Sequence, residues 1–245
     1  MTQTLPLHKN IWESTLNWVP SEQFTTELQK LYEIFLRENN VLNVTRILEP
    51  EDFWEKHIWD SIANSIFALT EKEKTYRIID IGTGGGFPGF PLTLLGNYCE
   101  GFQTEVLMVD SIAKKIQFIN NTIQEMGLKN SNAISGRAEI LGHEADLRES
   151  FDIATIRAVG PAHTCLEYTL PFLKVGGEAL IYRGTYKEDE QETIERVAGR
   201  LGGQFKEIRK ETTPITKGER NCFVISKVKG TSPKYPRKNA GRKPL

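Results

Sequence analysis

The sequence predicts an α/β fold with a mostly parallel, doubly wound sheet, for two reasons. From residue 76 onward, short apolar runs alternate with segments whose apolar residues recur at helical spacing. One of these runs leads directly into the glycine-rich turn Gly82-Thr83-Gly84-Gly85-Gly86, which is followed by Pro88 at a predicted helix start. Regular alternation of strands and helices produces parallel sheets covered by helices on both faces.

The first part of the chain is predicted to be helical. Residues 8–18, 21–37 and 52–69 carry apolar side chains at helical spacing, for example Leu28 and Leu31. We therefore expect a helical extension over residues 1–70 that caps the sheet.

The central domain, residues 71–228, accounts for the sheet. Strands are expected near 76–82, 104–110, 132–136, 151–157 and 177–183, with helices near 88–96, 111–126, 162–173 and 186–201. The last two runs, 204–211 and 220–227, follow each other without a helix between them, so they should pair antiparallel. The prediction is a seven-stranded, Rossmann-like sheet with an antiparallel last strand.

Composition restricts the class of protein. A chain of 245 residues with 39% hydrophobic content suits one α/β domain and a smaller appendage. No apolar run approaches the ~20 residues of a membrane span, and residues 1–12 lack the layout of a signal peptide, so we expect a cytoplasmic protein without membrane contact. Cys99, Cys165 and Cys222 are far apart and odd in number, which favours buried free thiols over disulfides or a metal site.

The charge is unevenly distributed. Residues 227–245 contain seven basic and no acidic residues, which leaves 24 basic against 32 acidic residues in the rest of the chain. A basic tail over residues 229–245 suits a phosphate backbone, and Tyr235 within it suits stacking on an exposed base. The alternative is a solvated, disordered tail.

The glycine turn is typical of a nucleotide-type cofactor site. A dinucleotide fingerprint requires glycine at the position of Phe87, so the fit to a nicotinamide enzyme is poor. The order apolar-apolar-Asp-apolar-Gly-x-Gly-x-Gly instead resembles the first motif of class I S-adenosylmethionine-dependent methyltransferases. That resemblance implies that Asp80 helps to hold the methionine amine, next to Gly82, Gly84 and Gly86. The alternative is a tight structural turn.

A second acid follows the next strand. Asp110 ends the run 104–109, where an acid in such folds binds the ribose hydroxyls. Its separation from Gly82 exceeds the usual ~20 residues, which predicts an extended loop over residues 96–101. A helix N-cap is the competing role for Asp110 and does not exclude ribose binding.

Six motifs in order along the chain carry a closer resemblance. They are Asn43-Val44-Thr45, His57-Ile58-Trp59-Asp60-Ser61, the segment from Gly82 to Gly89, Arg157-Ala158, Gly218-Glu219-Arg220 and Tyr235-Pro236-Arg237-Lys238. They resemble the ribosomal RNA small subunit methyltransferase G family, also called glucose-inhibited division protein B, over residues 20–245. The resemblance implies methyl transfer from S-adenosylmethionine to N7 of a guanine in 16S ribosomal RNA near the decoding site, on the small ribosomal subunit.

The resemblance also implies the cofactor contacts. They fall on Gly82, Phe87, Ala138, Glu139 and Arg157, in addition to the residues inferred above. Phe87 would cover the cofactor, the backbone of Ala138 and Glu139 would read the adenine edge, and Arg157 would bind the methionine carboxylate or a phosphate. The competing interpretations are a surface acid for Glu139 and, for Arg157, an ion pair with an acid such as Asp152 or Glu139.

The chemistry is restricted by motifs that the sequence lacks. Exocyclic-amine methyltransferases usually carry Asn/Asp-Pro-Pro-aromatic after the fourth strand, where this chain has Arg157-Ala158-Val159-Gly160-Pro161. No Pro-Cys pair offers a nucleophile for carbon 5 of a pyrimidine. Guanine N7 has a lone pair and no proton, so we expect no essential proton-transfer residue and no metal. His57, Asp60 and Arg157 are secondary candidates.

Cations and one aromatic residue are candidates for RNA contacts, although any one cation is more often a solvated charge. They are Lys114, Lys115, Arg183, Arg220, Lys234, Tyr235, Arg237 and Lys238. The family usually carries Lys at Arg183 and His at Asn221, so RNA contacts there are expected to differ.

Two alternatives stay open. One is a methyltransferase of the same fold that acts on a small molecule or protein, for which deletion of residues 229–245 should leave activity unchanged. The other is a non-catalytic RNA-binding or assembly factor, which would fail to turn over the cofactor. In each case we expect a monomer.

Overall fold

The computed structural model describes residues 3–42, 44–186, 190–238, 240 and 245. Asn43 of the first motif and Arg242 and Lys243 of the basic tail lie outside these residues.

The N-terminal extension is helical. Its elements are α1 (Lys9–Leu16), α2 (Glu22–Leu42), α3 (Pro50–Phe53), a π-helical turn (Trp54–Trp59), α4 (Asp60–Ala63) and a 3₁₀ turn (Ile66–Ala68). The hydroxyl of Ser21 accepts a hydrogen bond from the Phe24 amide at 3.1 Å and so caps the start of α2.

Seven strands form one sheet in the order β3-β2-β1-β4-β5-β7-β6. They are β1 (Lys74–Ile81), β2 (Phe102–Asp110), β3 (Ser131–Ser135), β4 (Phe151–Arg157), β5 (Leu173–Arg183), β6 (Gly203–Thr212) and β7 (Glu219–Lys227). β1 to β5 are parallel, and β7 pairs antiparallel with both β5 and β6. This topology confirms the predicted fold class. The order reverses at β1, between β2 and β4, and a crevice for ligands forms at such a point.

The helices between the strands cover both faces of the sheet. They are α5 (Gly89–Tyr98), α6 (Ala113–Met126), α7 (Ala138–Leu141), α8 (Ala162–Thr169), a 3₁₀ turn (Leu170–Phe172) and α9 (Glu190–Leu201). Neighbouring strand residues point to opposite faces, so Ile78 packs with the N-terminal helices while Ile79 packs with α8 and α9. The division at residue 70 stays a prediction, because the N-terminal helices share one core with the sheet.

The predicted extended loop over residues 96–101 is wrong. Helix α5 continues to Tyr98 and β2 begins at Phe102. Gly96 allows this compact connection, because a Cβ atom there would lie only 2.1 Å from the Thr104 hydroxyl. Helix α5 and strand β2 are each longer than predicted, and together they account for the residues between the glycine turn and Asp110.

Other differences are local. The short helix α7 was not predicted, and β5 begins at Leu173 rather than at residue 177. Cys165 and Cys222 are buried free thiols, while Cys99 is half-buried. Within the described ranges, none of the helices has the length and apolar character needed to cross a bilayer.

Candidate functional site

A cavity of about 260 Å³ lies at the carboxyl ends of β1 to β4. It is lined by Gly82 after β1, Asp110 at the end of β2, Arg137 to Glu139 after β3, and Val159 to Pro161 after β4, together with Thr164 and Tyr168 of α8. A larger open depression of about 670 Å³ lies toward the amino ends of β1 to β3, and none of the predicted site residues lines it. The smaller cavity is the candidate site.

The glycine turn forms one wall of this cavity and is tied to β2. The Thr83 amide donates to the Val109 carbonyl at 2.9 Å, and the Gly84 amide donates to Asp110 Oδ2 at 3.0 Å. Gly82 has φ +67°, and a Cβ atom there would lie 2.4 Å from Cγ2 of Val159. Glycine is needed at this position for both its backbone conformation and the close approach of the β4 loop.

Substitutions can separate the need for a positive φ from the need for space beside Val159. Gly84 also has a positive φ, +62°, but a Cβ atom there would have no neighbour closer than 4.0 Å. We expect Gly84→Ala to cost about 1–2 kcal/mol of unfolding free energy through backbone strain alone. Gly82→Ala should cost about 1–3 kcal/mol more through overlap with Val159. Urea unfolding measures both.

Val159→Ala removes the atom with which the new methyl group would collide. In the Gly82→Ala background it should therefore recover most of the difference between the two alanine variants. Equal costs for the two single variants would contradict this explanation.

Asp80 lies behind the turn and does not line the cavity. Its Oδ2 accepts hydrogen bonds from the Thr83 hydroxyl and the Gly89 amide, and its Oδ1 accepts one from the Thr155 hydroxyl. Burial raises the pKa of this carboxyl group to about 6. In this structure Asp80 fixes the start of α5, and its contact with the methionine amine stays a prediction.

Asp110 lies in the cavity wall and is 7% exposed. Oδ2 accepts from Gly84 and Oδ1 accepts from the Ile112 amide at 2.9 Å. Ile112 itself occupies the N-cap position of α6, so Asp110 anchors the turn before the helix rather than capping it. A carboxylate has about four acceptor positions, so two remain for ligand hydroxyl groups.

The third wall follows β3. Ala138 and Glu139 begin α7, and both are buried and line the cavity. Glu139 is paired with Arg137, whose Nε donates to Glu139 Oε1 at 2.9 Å. The alternative interpretation of Glu139 as a surface acid is therefore wrong, because the residue is buried.

Several lining residues were not predicted, and two of them come from α8. Thr164 and Tyr168 lie one turn apart on α8 and face the cavity. The hydroxyl of Thr164 is buried and has no hydrogen-bond partner among the described residues. Their spacing of four residues in the predicted helix 162–173 places them on one face, but nothing in the sequence shows which face meets the cavity.

Arg157 does not line the cavity and is held by the N-terminal helices. Its Nη1 donates to the Lys56 carbonyl at 2.8 Å and to Asp60 Oδ2 at 3.0 Å, and its Nη2 lies 3.4 Å from Nδ1 of His57. Oδ1 of Asp60 lies 3.2 Å from Nε of Arg220. Arg157 therefore pairs with an acid, as the alternative interpretation held, but that acid is Asp60 rather than Asp152 or Glu139.

His57 belongs to the same cluster and is neutral. Its ring stacks on Phe87 at 4.4 Å between ring centroids, and Nε2 hydrogen-bonds the Thr45 hydroxyl at 2.9 Å. Burial, together with the positive charges of Arg157 and Lys56, lowers the pKa of His57 to about 3. Like Asp80, Gly84 and Gly86, Phe87 lies outside the cavity lining.

The candidate RNA cations fall into two groups. Lys114, Lys234 and Lys238 are exposed. Others are engaged within the protein: Lys115 lies 3.8 Å from Asp110, Arg183 donates to the Gly160 carbonyl, and Arg220 contacts Asp60.

Two tail residues are placed differently from the prediction. The ring of Tyr235 is buried in the core, so the prediction that it stacks on an exposed base is wrong. Arg237 binds both carboxylate oxygens of Glu167. The described part of the tail up to Lys238 therefore packs against the domain, where Tyr235 is buried and Arg237 pairs with Glu167.

The comparisons with known proteins agree with this architecture. The family model of rRNA small subunit methyltransferase G matches residues 25–221. A protein of that name from Nostoc sp. is 43% identical over 240 residues, 97% of this chain and 96% of its own, and one from Trichodesmium erythraeum is 41% identical over 96% and 91%.

Solved structures share the fold at low sequence identity. M. jannaschii TYW2, solved in complex with AdoMet, is 15% identical with a TM-score of 0.51 over 69% of this chain and 77% of its own. A SAM-dependent methyltransferase from Aquifex aeolicus is 13% identical with a TM-score of 0.51 over 72% and 94%.

Proposed function

The chain belongs to the rRNA small subunit methyltransferase G family, and from this premise we propose that it methylates N7 of a guanine in 16S ribosomal RNA near the decoding site. The observation that carries the proposal is the cavity at the switch point of the sheet, where Gly82, Asp110 and Glu139 meet. S-adenosylmethionine is the methyl donor.

The cavity fits this donor. Asp110 offers free acceptor positions for two ribose hydroxyls, and the turn at Gly82 allows close approach of a ligand to the backbone. The Thr164 hydroxyl, which has no partner among the described residues, supplies a further hydrogen-bonding group. When bound, the donor supplies a methyl group activated by a sulfonium centre.

Among the described residues, neither the buried cysteines nor His57 support acceptor chemistries that need a thiolate nucleophile or a proton acceptor. Burial raises the pKa of Cys165 to about 12 and raises the pKa of Cys222 as well, so neither thiol becomes a nucleophile for a pyrimidine carbon. His57, the secondary candidate for proton transfer, is neutral and stacked on Phe87. These features favour an acceptor atom that carries a lone pair and no proton, as guanine N7 does.

Rate acceleration then comes from alignment. Holding donor and acceptor in line is worth about 7–11 kcal/mol at best. The protein residues needed are those that orient the donor, Asp110 and the Ala138-Glu139 backbone, and those that place the RNA. For the RNA we propose the exposed cations Lys114, Lys234 and Lys238, on a monomeric protein acting in the cytoplasm.

The test is transfer of labelled methyl groups to small ribosomal subunits that lack the modification, followed by chemical cleavage at N7-methylguanine. Cleavage at a single guanine near the decoding site is the expected result. Label in RNA that resists this cleavage would contradict the acceptor atom, and label found only in protein would contradict the acceptor class. Naked 16S RNA, tested in parallel, identifies the form of the substrate.

A further inference from the structure

Residues 228–238, here called the strap, pack against the domain instead of extending into solvent. One side chain, Arg148, holds much of this segment. It donates to the carbonyls of Thr231 at 2.7 Å, Ser232 at 3.2 Å and Tyr235 at 2.9 Å. The same guanidinium group donates to the Gly142 carbonyl at 2.7 Å, so it joins the strap to the connection between β3 and β4.

The distal end of the strap is fixed by a second charged contact. Glu167 of α8 is only 1% exposed, and its carboxylate accepts from the Arg237 amide at 2.7 Å and from Nε and Nη2 of Arg237 at 2.9 and 2.8 Å. A buried carboxylate that accepts three such bonds is strongly held. His143 adds a bond of 2.8 Å to the Pro236 carbonyl.

These anchors lie on the two walls of the cavity. Gly142 ends the short helix that carries Ala138 and Glu139, and a Cβ atom on it would lie 2.8 Å from the Pro236 ring. Glu167 stands next to Tyr168, which lines the cavity from α8. Tyr235 is 7% exposed and belongs to the same core as Ala138 and Tyr168. The strap therefore contacts both walls of the cavity without lining the cavity itself.

We propose that the strap is a positioning element of the cofactor site, which holds the α7 wall against the α8 wall so that the nucleoside of S-adenosylmethionine fits between them. Arg237, Arg148 and Glu167 act through the cavity walls and not by contact with the ligand. Because coupling between two sites is reciprocal, a ligand in the cavity also stabilises the docked strap.

One consequence concerns deletion of the tail. Removing residues 229–245 also removes the strap, so methyl transfer should fall for every kind of acceptor. That deletion therefore does not separate an RNA acceptor from a small-molecule or protein acceptor.

Equilibrium binding of S-adenosylmethionine to the full-length protein tests the proposal, with Arg237→Ala and Lys229→Ala, at an exposed cation of the strap, as a matched pair. We expect Arg237→Ala to weaken binding about tenfold, within the range usual for coupled sites, and Lys229→Ala to leave it unchanged. Arg237→Lys, which keeps the charge but not the paired geometry, should fall between them. Wild-type affinity in Arg237→Ala would overturn the proposal.

Steady-state kinetics separate positioning from general destabilisation. We expect Arg237→Ala to raise KM for the cofactor while kcat at saturating cofactor and KM for the ribosomal subunit stay the same. A uniform fall in kcat without a change in cofactor KM would overturn the positioning role.

Hydrogen exchange on the wild-type protein supplies a second test that needs no variant. We expect S-adenosylhomocysteine to slow exchange of the strap amides, including that of Arg237, which donates to Glu167. Unchanged exchange in the strap, with protection confined to the cavity walls, would overturn the coupling. Neither binding nor exchange involves RNA, so both can fail or succeed independently of the proposed N7 acceptor.

Discussion

Replacing Arg157 with alanine should lower the free energy of unfolding by about 3–5 kcal/mol, the range for removing one partner of a buried ion pair. Asp60 is 4% exposed and would lose the partner of its Oδ2. The Lys56 carbonyl would lose its donor as well, and the contact with His57 would disappear. Urea unfolding at pH 7 measures the change.

Arg220→Ala is the matched control, because Arg220 contacts the other oxygen of the same carboxylate. Among the described residues, Arg220 has no hydrogen bond to Lys56 or His57, so its loss should cost about 1.5–3 kcal/mol, the range for one polar contact with a charged group. A cost for Arg157→Ala no greater than that for Arg220→Ala would show that Arg157 is not the main support of this cluster.

Arg157→Ala should also change how the free energy of unfolding depends on pH. Because the pKa of His57 is about 3 in the folded protein, and its ordinary value is 6.5, the unfolded chain binds a proton first as the pH falls. The contribution of neutral His57 to the free energy of unfolding is fully present above pH 6.5 and is lost as the pH drops toward 3. Arg157→Ala removes one cause of the low pKa, so its loss of stability with falling pH should be shallower. A titration of the His57 ring by NMR measures the pKa directly.

The order of strands and helices was predictable because it depends on local patterns. Apolar runs such as Tyr76 to Ile81, and the glycine turn that follows, can be identified from short segments of sequence. Ligands in such sheets bind at the carboxyl ends of the strands. The position of Asp110 in the cavity wall follows from this rule, whereas Ala138 and Glu139 were implied by the family resemblance.

The contacts of the Arg157 side chain could not be predicted from local sequence patterns. It ends a strand at the ligand edge, as predicted, but its side chain turns toward Lys56 and Asp60, about one hundred positions earlier in the chain. The π-helical turn Trp54–Trp59 brings these partners to it, and such turns have no clear sequence pattern.

Two tail residues, Tyr235 and Arg237, differ from the prediction for a similar reason. A run of basic residues is usually solvated, but Tyr235 and Arg237 find partners in Arg148 and Glu167 that are distant in sequence. Docking of a basic segment therefore depends on partners distant in sequence, here the Glu167 carboxylate and a guanidinium group that binds backbone carbonyls, and composition alone does not reveal them.

Asp110→Ala should weaken binding of S-adenosylmethionine by about 2–3 kcal/mol, on the order of 100-fold, the cost of charged hydrogen bonds to ribose. The effect has two sources, because Asp110 also accepts from the Gly84 amide and holds the glycine turn. Lys115→Ala is the control, since Lys115 lies 3.8 Å from the same carboxylate. It should leave affinity within a factor of about two, as expected for a partly exposed pair.

A double-mutant cycle separates the two sources. S-adenosylhomocysteine and its 2′-deoxy analogue, which lacks one ribose hydroxyl, are each bound to the wild type and to Asp110→Ala. If Asp110 binds the ribose, loss of the hydroxyl weakens binding to the wild type but has little further effect in the variant, because its partner is already gone. Equal losses in both proteins would mean that Asp110 acts only through the glycine turn, where its bond to Gly84 keeps the cavity wall in place.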